Sequence, residues 1–168
     1  IKGIELKYKN HYFSGLCFDS SKCKKGNIFF AIKGTHINGN KFINHAIHKG
    51  AKIIIYNQKY EGIRKNVLFI RSSNVRKSLS ELSFKIYKDK PRNIIAVTGT
   101  NGKSSVADFY FQILKLNKKK VASIGTLGIK TQSYIKKVSN TTIDPIALSV
   151  VLNKLKKEKI NDVILEAS

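Results

Sequence analysis

The sequence predicts an α/β fold in two parts. A small N-terminal α/β domain spans residues 1–89, and the first part of a second α/β domain, with a mainly parallel sheet, spans residues 90–168. Three observations carry that prediction. Short apolar runs alternate with stretches of helical periodicity, the pattern of layered α/β structure. A polar segment holding one of the two prolines, Asp89-Lys90-Pro91-Arg92, separates two such patterns. A glycine-rich loop, Thr98 to Ser105, joins a strand-like run to a helix-like one.

Taken in order, Asn27 to Ile32 is an apolar run entered from a Lys-Lys-Gly turn and reads as a buried strand. Gly34 to Asn40 is polar and glycine-rich, hence a loop. Lys41 to Lys49 puts Ile43, Ala46 and Ile47 on one helical face, and Gly50 stops the helix. Lys52 to Tyr56 and Val67 to Ile70 are strands. Asn74 caps a helix reaching Tyr87, with Val75, Leu79, Leu82 and Ile86 as its apolar positions. Beyond the boundary, Asn93 to Val97 reads as a buried strand. A helix from Lys103 follows, with Val106, Phe109, Tyr110, Ile113 and Leu114 at i, i+3, i+4, i+7 and i+8. Lys120 to Ile124 is a strand, and a glycine-containing loop leads on to a helix over Pro145 to Lys157. Pro145 suits its first turn, and Leu148, Val151, Leu152 and Leu155 form its apolar face. Asn161 to Glu166 is the last strand.

Composition sets the bounds on function. With 168 residues, 42% hydrophobic and 10% aromatic, the chain can bury a core and is not a disordered segment. No run approaches the ~18 apolar residues of a membrane span. Cys17 and Cys23 make no disulfide framework, and with no second Cys/His pair at zinc spacing they read as free thiols of a reducing, cytoplasmic compartment. His45 and His48, one helical turn apart, have no further ligand beside them and read as structural. The chain contains no Met and stops on a strand-like Ile164-Leu165-Glu166-Ala167-Ser168, so it reads as an excerpt of a longer protein.

The net charge is +22, which invites a nucleic-acid reading. The basic residues argue against it. Twenty-eight of the 32 are Lys, the only arginines are Arg64, Arg71, Arg76 and Arg92, and the lysines are dispersed along the chain. Base-edge and paired phosphate contacts favour the planar fork of Arg. No nucleic-acid partner is expected.

Thr98-Gly99-Thr100-Asn101-Gly102-Lys103-Ser104-Ser105 carries the chemistry. Glycines let the backbone turn sharply and approach an anion. Successive amides and the helix N-terminus then cradle phosphate oxygens. Lys103 reaches terminal phosphates, and the Ser104 hydroxyl can ligate Mg²⁺. Val97 stands where the full phosphate-loop pattern has its first glycine. The strand–loop–helix setting makes the second domain a P-loop mononucleotide-binding domain.

The loop resembles the T-G-T-N-G-K-S/T-S/T segment of the Mur ligases and folylpolyglutamate synthetases. Phe18-Asp19-Ser20-Ser21, continuing through Lys25-Gly26-Asn27 to Lys33-Gly34, resembles the D-S-R to G-D-L/I-F-x-A-x-x-G opening of the MurE and MurF branches. Gly125-Thr126-Leu127-Gly128 and Asn140-Thr141-Thr142-Ile143-Asp144-Pro145 are similar to the G-T-L-G and N-T-T-P-D-P segments of the MurE branch. Glu166-Ala167-Ser168 matches the start of E-A/V-S-S-H. The matches run in order along nearly the whole chain. On them the chain is identified as a member of the Mur ligase family, MurE branch. The segments at 140–145 and 19–34 disfavour the MurF and folylpolyglutamate synthetase alternatives.

The resemblance implies an ATP-dependent amide ligase of peptidoglycan synthesis, with ATP and Mg²⁺ as cofactors. Its partners would be UDP-N-acetylmuramoyl-dipeptide and a diamino acid, meso-diaminopimelate or lysine. Gly99, Thr100, Asn101, Gly102, Lys103, Ser104 and Ser105 would hold ATP, with Lys103 the catalytic phosphate contact and Ser104 on Mg²⁺. Glu166 would bind a second Mg²⁺, as suits a hard carboxylate. Phe18, Ser20, Thr35, His36 and Ile37 match positions that hold the uridine portion, and Asn140, Thr141, Thr142 and Ser168 match those near the muramoyl peptide and pyrophosphate. Ser21 replaces the usual Arg, Asn27 the usual Asp and Ile143 the usual Pro, none of them on the phosphates. The excerpt alone is expected to be catalytically dead, and the sequence leaves its oligomeric state open.

Overall fold

A computed structural model describes residues 12–34, 37–62, 64–137 and 143–167. The chain divides into two compact units, Ile1–Ser83 and Phe84–Ser168.

The first unit is a four-stranded, wholly parallel sheet in the order β1 (Gly15–Cys17), β2 (Asn27–Phe30), β3 (Ile53–Tyr56), β4 (Leu68–Arg71). Parallel neighbours need crossovers. The one between β2 and β3 is a 3-10 turn, Gly39–Phe42, running into α1 (Ile43–His48). Phe29, Ile43, Ala46 and Ile54, each no more than 1% exposed, form its core with Cys17 and Cys23. Both cysteines are free, and burial pushes the Cys17 thiol well above its ordinary range. The next helix, α2 (Val75–Ile86), begins where Asn74 accepts the Lys77 amide at 2.9 Å, the expected cap. Val75 and Leu79 are buried, whereas Ile86 at the C-terminal end of the expected face is 38% exposed.

The second unit is a five-stranded sheet in the order β5 (Asn93–Val97), β9 (Asp162–Glu166), β6 (Val121–Gly125), β7 (Gly128–Lys130), β8 (Ile135–Lys136). The first three strands are parallel and the last two antiparallel. The helix α3 (Lys103–Leu116) connects β5 to β6, and β9, arriving last, fills the place between them. The helix α4 (Pro145–Lys157) starts with Pro at its first turn, as expected, and the Asp144 carboxylate accepts the Ile146 and Ala147 amides at 3.0 Å each. Leu152 and Leu155 pack with Ala122, Ile124, Ile129 and Val163, and Leu148 and Val151 flank that core.

Two burial expectations fail in this unit. Asn93 to Ala96 are exposed rather than buried, Ile94 by 37% and Ile95 by 41%, because among the described residues β5 is an edge strand bonded on one side only. In α3 the buried residues are Ala107 and Phe111, while Val106, Phe109 and Ile113 are 50%, 65% and 57% exposed. The helix is apolar around most of its circumference, so the sheet, not the periodicity, selects which stripe is covered.

Candidate active site

The strand β5 ends at Val97, and the chain turns through Thr98 to Gly102 into α3. Gly102 is the N-cap of that helix, with φ +81°, and offers no side-chain acceptor to the first-turn amides. A Cβ at Gly102 would meet nothing within 4 Å, so glycine is required there by the backbone angle and not by crowding. The helix therefore begins with amides aimed at the loop, which suits an anion. The Lys103 ammonium folds back over the loop, donating to the Gly99 carbonyl and, at 3.3 Å, to that of Thr100. Its positive charge sits inside the curve of the glycine loop.

Pairing in the sheet brings the other half of the site alongside. Val97 is in register with Glu166 across β5 and β9, and the Ala167 amide donates to the Val97 carbonyl at 2.8 Å. Glu166 is only 4% exposed. The Ser104 hydroxyl donates to its Oε2 at 2.9 Å, and the Thr126 hydroxyl donates to the same oxygen at 2.9 Å. Thus Gly99 to Ser105 and Glu166, separated by some sixty residues of sequence, converge at the C-terminal ends of adjacent parallel strands, where α/β sheets place their ligands. Thr126 is the site residue to which the sequence assigned no role. Its only signal was membership of the Gly125-to-Gly128 segment.

The second group of expected residues lies on the first unit. The loop after β1 carries Phe18, 41% exposed, and Ser20, 7% exposed. Asp19 caps the 3-10 turn Ser20–Lys22 by accepting the Ser21 hydroxyl at 2.7 Å and the Ser21 amide at 3.0 Å. These bonds, the hydroxyl first, hold the Asp19 carboxyl below the usual carboxylate range. Ser21, standing where an Arg was expected, thus serves the turn itself. Ser20 Oγ lies 3.0 Å from Nδ1 of His45 on α1, a partner that the sequence reading left as structural. Ile37, in the loop after β2, is 59% exposed. Thr35, His36, Asn140, Thr141, Thr142 and Ser168 lie outside the described residues.

Comparison with known proteins fits this geometry. The model of the Mur ligase middle domain matches residues 97–168, and that of the Mur ligase family, catalytic domain, matches residues 12–87. The chain belongs to the Mur ligase family. The UDP-N-acetylmuramoyl-L-alanyl-D-glutamate--2,6-diaminopimelate ligase of Rickettsia prowazekii (strain Madrid E) is 39% identical over 165 residues, covering 96% of this chain and 34% of that relative. The protein of the same name from Fusobacterium nucleatum is 33% identical over 168 residues, 100% of this chain and 34% of the relative. A solved structure of a ligase of that name superposes with a TM-score of 0.75 at 28% identity, over 93% of this chain and 32% of that one. A MurF ligase from Thermotoga maritima, solved with ADP, shares the fold with a TM-score of 0.57 at 21% identity, over 94% of this chain and 33% of that one. This Mur ligase chain therefore spans about a third of the length of the relatives it matches.

The neighbours confirm an α/β family fold. Among the described residues, no helix is long and apolar enough to cross a membrane, and no group of three or more His, Cys, Asp or Glu side chains gathers as a metal site.

Proposed function

We propose that this chain is the nucleotide-binding part of a cytoplasmic amide ligase that adds a diamino acid to UDP-N-acetylmuramoyl-L-alanyl-D-glutamate. Its relatives' names favour 2,6-diaminopimelate as that diamino acid. Residues 1–89 would hold the uridine portion through Phe18, Ser20, Thr35, His36 and Ile37. Residues 90–168 would hold ATP through Gly99 to Ser105, with Asn140, Thr141, Thr142 and Ser168 toward the muramoyl peptide. The observation that carries the reading is the meeting of Ser104 and Glu166 at the mouth of the glycine loop.

That pair also fits Mg²⁺. Both groups are hard oxygen donors brought together beside the glycine loop, where the Ser104 hydroxyl would hold the nucleotide's ion and Glu166 a second one. When bound, the ion would supply neutralisation of the charge on the transferred phosphoryl group. The chain's own residues would do the positioning. The loop amides and Lys103 hold the phosphates in line with the substrate carboxylate. A carboxylate oxygen attacks the γ-phosphorus, the bond to the β,γ-bridging oxygen breaks, and ADP leaves. The diamino acid's amine then attacks the acyl carbon, loses a proton, and expels phosphate, which leaves the amide.

Titrating the chain with ATP, with and without Mg²⁺, and in parallel with random-sequence duplex DNA tests the reading. Magnesium-dependent ATP binding that is lost in Lys103→Ala is expected, with any DNA binding vanishing as salt rises. Tight DNA binding that resists salt, with no magnesium-dependent ATP binding, would overturn it. In a polypeptide of the relatives' full length, Lys103→Ala is expected to abolish turnover, and near-normal turnover would remove the phosphate-loop assignment.

A further inference from the structure

The Gly125-Thr126 segment belongs to the resemblance but has no place in the reading above. Its surroundings give it one. Glu166 is buried at the end of a central strand. A buried carboxylate needs donors to offset its lost hydration. Among the described residues no lysine or arginine forms an ion pair with it. Among the described residues its polar support comes from two hydroxyls, those of Ser104 and Thr126, both on Oε2.

These two donors differ in what carries them. Ser104 stands on the first turn of α3, part of the loop that engages phosphate. Thr126 stands in the two-residue turn between the antiparallel strands β6 and β7, whose ends Gly125 and Gly128 pair across it. The turn is fixed from both sides. Gly128 has φ +95°, and a Cβ there would sit 3.1 Å from the Lys137 Cα. At Gly125 a Cβ would sit 2.6 Å from the Glu166 Cγ and closer still to its carboxyl carbon and Oε1. The missing side chain thus admits one end of the carboxylate, while the next residue bonds the other end. Together the two residues constrain the carboxyl plane from the β6–β7 turn, while Ser104 bonds the same oxygen from the phosphate loop.

We propose that Thr126, on its glycine-flanked turn, is a positioning residue that keeps Oε2 of Glu166 aimed at Ser104 and the metal–nucleotide. The proposal rests on the Mg²⁺ reading above and deepens it. Groups that orient a metal ligand change metal affinity by about 10–100-fold when removed. A hydroxyl that merely fills a polar gap would leave metal affinity alone.

The test uses the 168-residue chain, Mn²⁺ as a paramagnetic probe and a non-hydrolysable ATP analogue, with electron paramagnetic resonance counting free Mn²⁺. Thr126→Val is expected to weaken Mn²⁺ binding in the presence of the analogue by about 10-fold or more. Analogue binding in EDTA should stay within about 2-fold, and Thr126→Ser, which keeps the hydroxyl, should restore the metal affinity. Thr126→Ala replaces the valine variant if circular dichroism shows that Val does not fold. Unchanged Mn²⁺ affinity in the variant without the hydroxyl, or a serine variant as weak as it, would overturn the positioning role while wild-type binding stands. A wild-type chain with no Mn²⁺-dependent nucleotide binding would instead remove the underlying reading and the proposal with it.

Discussion

The strands β2 and β5 have closely similar sequences, Asn-Ile-Phe-Phe and Asn-Ile-Ile-Ala-Val, and opposite surroundings. In the first unit β2 lies between β1 and β3 and is buried at every position, with Phe29 at 1% exposure and Phe30 at 0%. In the second unit, among the described residues, β5 pairs with β9 alone, and its first four residues are exposed. The facing helix repeats the contrast within itself, since Ala107 and Phe111 are covered while Val106, Phe109 and Ile113 stand in solvent. Apolar sequence shows that a segment is suited to burial. The number of its neighbours decides whether it is buried. The open side of the second unit, from Ile94 and Ile95 to the outer stripe of α3, is therefore apolar surface that these 168 residues leave uncovered, in a chain about a third as long as its relatives.

The largest expected effect separates the covered sheet from the open one. Ile54, at the centre of β3 and 0% exposed, should cost about 2–5 kcal/mol when cut to Ala, through lost burial and the cavity left behind. Ile95→Ala on the open strand should cost about 1 kcal/mol or less, because much of that side chain is already in water. Urea unfolding followed through resolved amide signals from β3 and β5 gives both numbers. Equal losses would show that β5 is as well covered as β3.

A middle-sized effect sharpens the contrast between helix starts. The Asp144 carboxylate serves two amides of α4, so Asp144→Ala should cost about 1 kcal/mol in thermal unfolding. At Gly102, where α3 has no side-chain cap, the amides are left for a ligand, and bound nucleotide should raise the melting temperature as a cap would. On the open stripe itself, Phe109→Lys should change stability by no more than about 0.5 kcal/mol in urea unfolding. A loss of 2 kcal/mol there would mean that Phe109 is packed after all.

How much of this was legible beforehand follows the same divide. The helix α4 is legible from Pro145 to Lys157 because its signals are local: a proline at the start and four apolar residues at helical spacing. The phosphate loop was read whole, since strand, glycines, Lys103 and Ser104 are consecutive. The strand β1, three residues long, carries no periodic run, and β7 and β8 exist only through pairing with β6 and with each other. The covered stripe of α3 could not be chosen from a helix with Val106, Phe109, Phe111, Ile113 and Leu116 on several sides. Thr126 was missed for a related reason. Its partner lies forty residues away, and nothing in the sequence records that a hydroxyl of α3 and one of the β6–β7 turn converge on one carboxylate oxygen.

The smallest effect concerns what holds α3 to the covered side. Asp108 on α3 accepts the Lys130 ammonium of β7 at 2.7 Å, and the Gln112 amide bonds the same carboxylate. Lys130 lies 4.6 Å from the centre of the Phe111 ring, the buried anchor of that helix. The Lys130 bond first, and the Gln112 bond second, hold the Asp108 carboxyl below its ordinary 3.8. Because the folded value is depressed, the stabilisation is fully present above about pH 5 and fades as pH falls through 3.8 toward the folded value. The side chains are 26% and 32% exposed, so the pair contributes about 0.2–1 kcal/mol, less at high salt. Asp108→Asn should therefore melt slightly below the wild type at about pH 6, and the gap should close as pH falls below 3.8. A gap that persists into acid would mean that the carboxylate's charge is not what fastens this helix, leaving the ring of Phe111 to hold it alone.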